Sequence, residues 1–442
     1  VARKAVLIVV DGMTPEAFER AVASGRAPAV AQLAEHGTYR RAVSVFPSLT
    51  PVCLSSIATG ATPAGHRIPH LVWWHRDERR IVEYGSSFAA LRAAGMAQSI
   101  TDTIYNMNAR HLSRETATIF ETLEDRGMTT AAVNITCYRG RTKHVPTLPW
   151  VTKAAYGPKR FFYYSLFESD RTGAPLAVRN RAGGSTDVYA AAVGRWLVTR
   201  DGFDVLAYYL SDFDYASHAH GPAGAEDVAL ERTDAAIGAL IGAAGGIDSF
   251  LERYAVALLS DHGQTHVARA AQLELPLSAY ADSIVVAASN RAGQVYLLPD
   301  ARVDAPTVAR ALDGEPAVEV VLWREDDDAV AQRDGEELRF RRVDDGWTTS
   351  GDATVLDHPD ALHRAWEALA NPNAGEVLVS AAEGWEFVDL GGRHHAGGGS
   401  HGSLVAGDSI VPVLTIGLDA APERITDVAP ALIAHAAQAT VA

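Results

Sequence analysis

The sequence predicts an α/β protein: a doubly wound, mainly parallel sheet flanked by helices, with a smaller inserted α+β subdomain. Three observations carry that expectation. Short branched apolar runs alternate with helical patterns through the first two thirds of the chain. Between 273 and 370 this rhythm gives way to shorter strand patterns and an acidic run. A chain of 442 residues at 48% hydrophobic content can bury a large core, yet is long for one uninterrupted domain. The core is therefore expected over 1–272 and 371–442, with the subdomain at 273–370 between its two parts.

Strands are expected at Ala5 to Val10, Ala42 to Val45, Thr130 to Ile135, Val205 to Leu210 and Ala255 to Leu259, where β-branched and apolar residues cluster. Thr14-Pro15 opens a helix that Gly25 closes, and Ser113 opens another that Gly127 closes. A long periodic pattern covers Ala223 to Ala244. Within the insertion, strands are expected at Gln294 to Leu298 and Val318 to Trp323, with a hairpin turn at Asp334-Gly335. The run Glu325-Asp326-Asp327-Asp328 reads as a solvated loop, because it lacks the glycine and spacing of a calcium loop.

A net charge of −15 and a pI near 5.5 argue against a stable nucleic-acid complex, which needs a basic footprint. Small anionic substrates remain open, since bound metal ions can outweigh bulk charge locally. Cys53 and Cys137 are too few for a disulfide framework and read as buried or incidental thiols. No run reaches the roughly 18 apolar residues of a membrane helix. With Val1 to Lys4 leading straight into a strand pattern, a cytoplasmic setting is expected; oligomeric state is not legible.

In open α/β sheets, function collects beyond the carboxyl ends of the strands. Ala5 to Val10 is followed by Asp11, and Val205 to Leu210 by Ser211-Asp212-Phe213-Asp214 with His218 four residues on. Ala255 to Ser260 is followed by Asp261-His262-Gly263. Single aspartates there usually cap helices, but three such ends, two with nearby imidazoles, point to metal ligation. Mixed carboxylate and imidazole donors suit zinc, with manganese or iron as alternatives. In Ser48-Leu49-Thr50-Pro51, proline suits a first helical position, which would make Thr50 the N-cap, beside amides that can hold phosphate. Gly397 to Leu404 is a glycine-rich turn in which His401 could complete a metal shell, with His394 and His395 as competitors.

The order Asp11, Thr50, Asp214 with His218, Asp261-His262 and His401 resembles the alkaline phosphatase superfamily, and its type I phosphodiesterase/nucleotide pyrophosphatase branch in particular. The most specific pieces are Val10-Asp11-Gly12, Asp214 to His218 followed by Gly221-Pro222, Ser260 to Gly263, and Ser400-His401-Gly402. The resemblance implies an alkaline phosphatase-like fold and two divalent ions. One would be held by Asp11, Asp261 and His262 beside Thr50, the other by Asp214, His218 and His401. It further implies a small phosphoester substrate and a phosphothreonine intermediate at Thr50, with ions about 4 Å apart clamping both apical oxygens.

Two positions depart from that branch. Pro51-Val52-Cys53-Leu54 follows the nucleophile position instead of the branch's own pattern, and Leu71 stands where the branch places an asparagine. His70, Asn106 and Asn108 are the expected substitutes for that asparagine. Arg139 and Arg141, in the basic loop Tyr138 to His144, are expected to hold the anionic remainder of a substrate, with Lys153, Lys159 and Arg160 nearby. His66 reads as structural and His220 as exposed or supporting. A phosphomonoesterase or phosphonate hydrolase of the same superfamily is the alternative, with a phosphosugar mutase further behind. Gly398 to Gly402 also matches the serine-esterase elbow, but no buried strand precedes Ser400. Threonine at position 50, outside a sulfatase pattern, argues against a sulfatase, and a mere metal-stabilised binding module would not need a hydroxyl there.

Overall fold

Ala5 to Val10 are all buried, so the strand they form needs cover on both faces and a neighbour at each edge. The computed structural model, which describes residues 3–147, 153–168, 185–344, 346–419 and 421–439, places it at the centre of an eight-stranded sheet. The strands up to that sheet's last parallel member are β1 (Lys4–Val10), β2 (Thr38–Val43), β3 (Thr130–Val133), β4 (Arg160–Tyr163), β5 (Phe167–Glu168), β6 (Val205–Leu210) and β7 (Tyr254–Leu259). A second, seven-stranded sheet follows from β8 (Ile284–Ser289), β9 (Ala292–Leu297), β10 (Val318–Glu325), β11 (Asp328–Arg333), β12 (Glu336–Val343), β13 (Gly346–Gly351) and β14 (Val377–Ala381). The chain then returns to the first sheet as β15 (Ile410–Ile416).

The order across the first sheet is β2-β15-β7-β1-β6-β3-β4-β5. β7, β1, β6, β3 and β4 run parallel, while β2, β15 and β5 are antiparallel to their neighbours. Ala5 is opposite both Val205 and Ala255, so β1, β6 and β7 end level at one edge. One face packs against the helix Thr50–Thr59 and the C-terminal helix through Leu54, Ile57 and Leu432; the other packs against Pro15–Ser24 and Leu230–Ala244 through Phe18, Ile237 and Leu240. The expected α/β class, with its mainly parallel sheet between helical layers, is what the chain adopts.

Local differences have local causes. The second strand is Thr38–Val43 rather than Ala42 to Val45, because Ser44 turns away to bond the carbonyl of Asp261. The helix expected from Ser113 begins at Ile119. There Thr118 and Glu121 make a reciprocal capping box, while the Ser113 hydroxyl instead accepts from Glu115 N–H. The long pattern to Ala244 is split: Asp212–Val228 kinks at Gly221-Pro222, and Leu230–Ala244 starts anew after Ala229. Asp334-Gly335 is the two-residue hairpin turn expected, with both φ values positive. The acidic run is not a free loop: Asp326-Asp327 turn between β10 and β11, and Glu325 and Asp328 pair with Arg339 and Arg341. β14 lies between β9 and β10, so residues beyond 370 complete the second sheet. Among the described residues no single helix is long and apolar enough to cross a membrane.

Candidate metal centre

The level ends of β1, β6 and β7 bring their following residues to one place. Asp11 leaves β1 into a turn at Gly12, where φ is +67° and a Cβ would lie 2.9 Å from Asp214 Oδ1. After β6 the chain enters the helix Asp212–Val228, which puts Asp214 and His218 on one face at i and i+4. β7 delivers Asp261 and His262, and a short strand at Gly399–Ser400, paired with Thr265–His266, delivers His401. The helix carrying Thr50 begins one residue earlier than expected. Leu49 is the extended N-cap and its carbonyl starts the helix, so Thr50 is the first helical residue. Its hydroxyl is therefore not spent on capping; it lies 3.1 Å from His262 Nε2.

The three histidines share one orientation. His218 Nδ1 lies 2.8 Å from the carbonyl of Gly399, His262 Nδ1 2.9 Å from that of Gly263, and His401 Nδ1 2.7 Å from that of Ser48. A carbonyl can only accept, so each Nδ1 carries a proton and each Nε2 faces the cluster, where loss of its own proton would free a lone pair for a cation. His262 Nε2 is 3.2 Å from Asp11 Oδ1 and 3.6 Å from Asp261 Oδ2; His218 Nε2 is 3.3 Å from Asp214 Oδ2; His401 Nε2 is 3.8 Å from Asp214 Oδ1. Two sets of donor atoms lie within 4.8 Å of one another: Asp214 with His218 and His401, and Asp11 with Asp214 and His262. Asp214 belongs to both.

Crowding sets the electrostatics. Burial, followed by the charges of Asp214 and Asp261, pushes the Asp11 carboxyl well up; burial and Asp214 push Asp261 up to about 7. Burial works against the charge on Asp214 too, but the neighbouring imidazoles His218, His401 and His262 hold it below the usual range. Burial likewise opposes protonation of His218, yet Asp214 raises it to about 9; His401 is lowered by burial and by the charge of His262. Asp11 Oδ1 and Asp261 Oδ2 are buried with no hydrogen-bond partner. Orphaned carboxylate oxygens beside imidazoles whose Nε2 atoms all face them are a donor set that fits divalent cations, which would displace the imidazole protons.

A buried ion pair braces this arrangement. Arg291 and Asp408, both fully buried, approach to 2.9 Å. Asp408 also accepts from Ser403 N–H and Oγ and from Thr265 Oγ1, tying the His262 and His401 loops to the β8–β9 turn. That turn carries Asn290, whose Nδ2 lies 3.1 Å from His401 Nε2 and which lines the cleft over the cluster. Asn290, like Tyr209, whose hydroxyl donates to Asp11, and Gln264, whose amide donates to Asp214, was not singled out from the sequence. An asparagine at positive φ between two strand patterns reads simply as a turn residue, so no local signal marked it.

The cluster thus unites Asp11, Thr50, Asp214, His218, Asp261, His262 and His401. The expected substrate residues are not brought to it. Arg139 donates to Glu121 and to the carbonyls of Leu112, Ser113 and Thr116, and Arg141 to Glu121 and Asp125; both line a different cavity. Asn108 donates to the Thr136 carbonyl and accepts from the amides of Tyr138 and Arg139, which pins that turn. Asn106 donates to Asp102. His70 accepts from Val72 N–H, its pKa lowered by burial to about 4. None of these five lines the cleft over the cluster. Of the competing histidines, His395 bonds Glu386 and stacks on His218 at 4.0 Å, and exposed His394 lies at the cleft wall. His66 is buried against Ser56, and His220 is exposed.

Fold and site together define a phosphoester hydrolase of the alkaline phosphatase superfamily. The model of the type I phosphodiesterase / nucleotide pyrophosphatase family matches residues 5–404, and the chain belongs to that family. Its fold is similar to that of phosphonoacetate hydrolase from Sinorhizobium meliloti 1021 in complex with phosphonoformate, with a TM-score of 0.65, 18% identity, and coverage of 98% of this chain and 96% of that one. It is also similar to murine ectonucleotide pyrophosphatase / phosphodiesterase 5, solved as an inactive variant in complex with AMP: TM-score 0.64, 14% identity, coverage 98% and 95%. A search of curated protein sequences finds no match.

Proposed function

We propose that the protein is a two-metal phosphodiesterase with Thr50 as nucleophile. The observation that carries this reading is the Thr50 hydroxyl, free of capping duty at the start of a helix and 3.1 Å from His262 within the carboxylate–imidazole cluster. Asp11, Asp214, Asp261 and His262 would hold one divalent ion, and Asp214, His218 and His401 the other. Zinc suits this donor set. Such ions supply Lewis acidity, lowering the hydroxyl pKa and offsetting charge on phosphoryl oxygens.

Thr50 Oγ1 forms a bond to phosphorus as the bond to the departing alcohol breaks, giving a phosphothreonine ester. Water then adds to phosphorus, that ester bond breaks, and the threonine hydroxyl is restored. One diester and one water become one alcohol and one monoester. Asn290 lines the cleft, and its amide would donate to a non-bridging oxygen, the task expected of the family asparagine.

Preference for diesters over monoesters is supported by charge. The cleft encloses about 870 Å³, and among the described residues neither arginine nor lysine lines it. A monoester dianion, or a phosphonate bearing a carboxylate, brings an extra negative charge that needs a cation of its own. Comparing kcat/KM for matched aryl diester and monoester with zinc-loaded protein tests this. A diester advantage is expected; a monoester advantage of about tenfold, ~1.4 kcal/mol in transition-state binding, would overturn it.

A further inference from the structure

A second cavity of about 660 Å³ shares no lining residue with the cleft over the metal cluster. The π-helix Asp102–His111 separates them: Thr103 and Met107 line the cleft, whereas Tyr105 and Asn108 line the second cavity. Its volume falls in the range of small-molecule sites.

The charge on its walls is unbalanced. Glu121 is the sole acid among the described lining residues, and it is consumed by Arg139 and Arg141. Arg139 also donates to three carbonyls, and Arg141 also pairs with Asp125. That leaves Arg114, with no partner among the described residues, and Lys153, which has no carboxylate partner there; its ammonium lies 4.7 Å from the centre of the Tyr105 ring. Two uncompensated cations in a concavity focus a positive potential, notable in a chain of net charge −15. The other walls are small apolar and aromatic side chains: Ala109, Ala117, Ala154 and Ala155 line the space with the buried Tyr105 and Tyr138 and with Tyr156, which is 57% exposed. The buried Tyr105 hydroxyl also has no hydrogen-bond partner.

We propose that this cavity is a second ligand site, separate from the metal cleft, for a small planar aromatic anion. The ring packs against Tyr156, and a carboxylate group is met by Arg114 and Lys153. Two cations without acid partners select the charge; the exposed ring of Tyr156, with the apolar Ala109, Ala117, Ala154 and Ala155 around it, selects a flat ring.

The test is a fluorescence titration of the full chain with 2-naphthoate, with neutral 2-naphthamide as the control for charge. Saturable binding to one site is expected, with the amide weaker by about tenfold or more. Arg114→Ala and Lys153→Gln, each at an exposed position, should separately weaken 2-naphthoate by a comparable factor. Orthovanadate, a phosphate-shaped occupant of the metal cleft, should leave its Kd unchanged. Displacement by vanadate would assign the binding to the cleft and overturn the proposal. So would equal binding of the amide, an unchanged Kd in both variants, or no saturable binding.

Discussion

At the scale of the residue, Thr50 differs from an ordinary Thr-Pro helix start by one position. Leu49, not Thr50, is the N-cap, and the threonine hydroxyl is left for the cluster. Thr50→Ala is therefore expected to lower kcat by at least about a thousandfold, as loss of a nucleophile does, with little change in melting temperature. Thr50→Ser keeps the hydroxyl and should retain far more turnover. Near-wild-type kcat in Thr50→Ala would remove the nucleophile from the proposal. The seven clustered residues were legible because Asp11, Asp214 and Asp261-His262 follow apolar runs, His218 stands four residues after Asp214, Pro51 marks the helix start at Thr50, His401 sits in a glycine-rich turn, and their order resembles the family's. The roles of Arg139, Arg141 and Asn108 were not, because their side-chain partners are backbone groups and carboxylates distant in sequence. A basic loop and a neutralised one look alike until the chain folds.

At the scale of the element, the start of the helix bearing Asp214 and His218 is held by Asp187, from the preceding helix. Asp187 is fully buried; its Oδ1 accepts from Ser211 and Asp212 N–H and its Oδ2 from the Thr233 hydroxyl. Burial, reinforced by the charge of Asp212, raises its pKa to about 7 from 3.8. A carboxyl raised on folding binds its proton more tightly in the folded chain. Its contribution is thus fully present below about pH 4 and is lost as pH rises through about 7, an effect on the order of 4 kcal/mol. Asp187→Asn preserves the pattern, since the amide oxygen accepts both backbone N–H groups and the amide nitrogen donates to Thr233. Urea unfolding at pH 5, 6 and 7 should show the variant losing less stability across that range than the wild type; parallel curves would contradict the argument. The buried Arg291–Asp408 pair makes a second case. Asp408→Ala strands a guanidinium beneath the His262 and His401 loops, so a loss of about 3–5 kcal/mol is expected by the same measurement. Element types were largely legible from apolar period. The ends of Thr38–Val43 and Ile119–Glu124 were not, since a bond from Ser44 to Asp261 and a capping box decided them.

At the scale of the whole molecule, the donors of the cluster come from the first strand, the first third, the middle and the last tenth of the chain. They meet because three parallel strands end level and a late glycine-rich turn closes over them. In the unfolded chain these groups are far apart, so ions that they bind in the folded state stabilise it. By mass action each site contributes about 2.7 kcal/mol when free metal stands at one hundred times its Kd. Occupancy also removes a cost already present, since Asp11 and Asp261 are pushed toward their neutral forms by burial and by Asp214 when no cation offsets them. The melting temperature is accordingly expected to fall on chelation and to recover when zinc is restored, with activity lost at lower chelator concentration than fold. Elemental analysis should give two ions per chain in the wild type and about one in His218→Ala combined with His401→Ala, because the Asp11, Asp261 and His262 donors persist. An unchanged melting curve after chelation, together with one ion or none in active wild-type protein, would show that the cluster does not hold the pair.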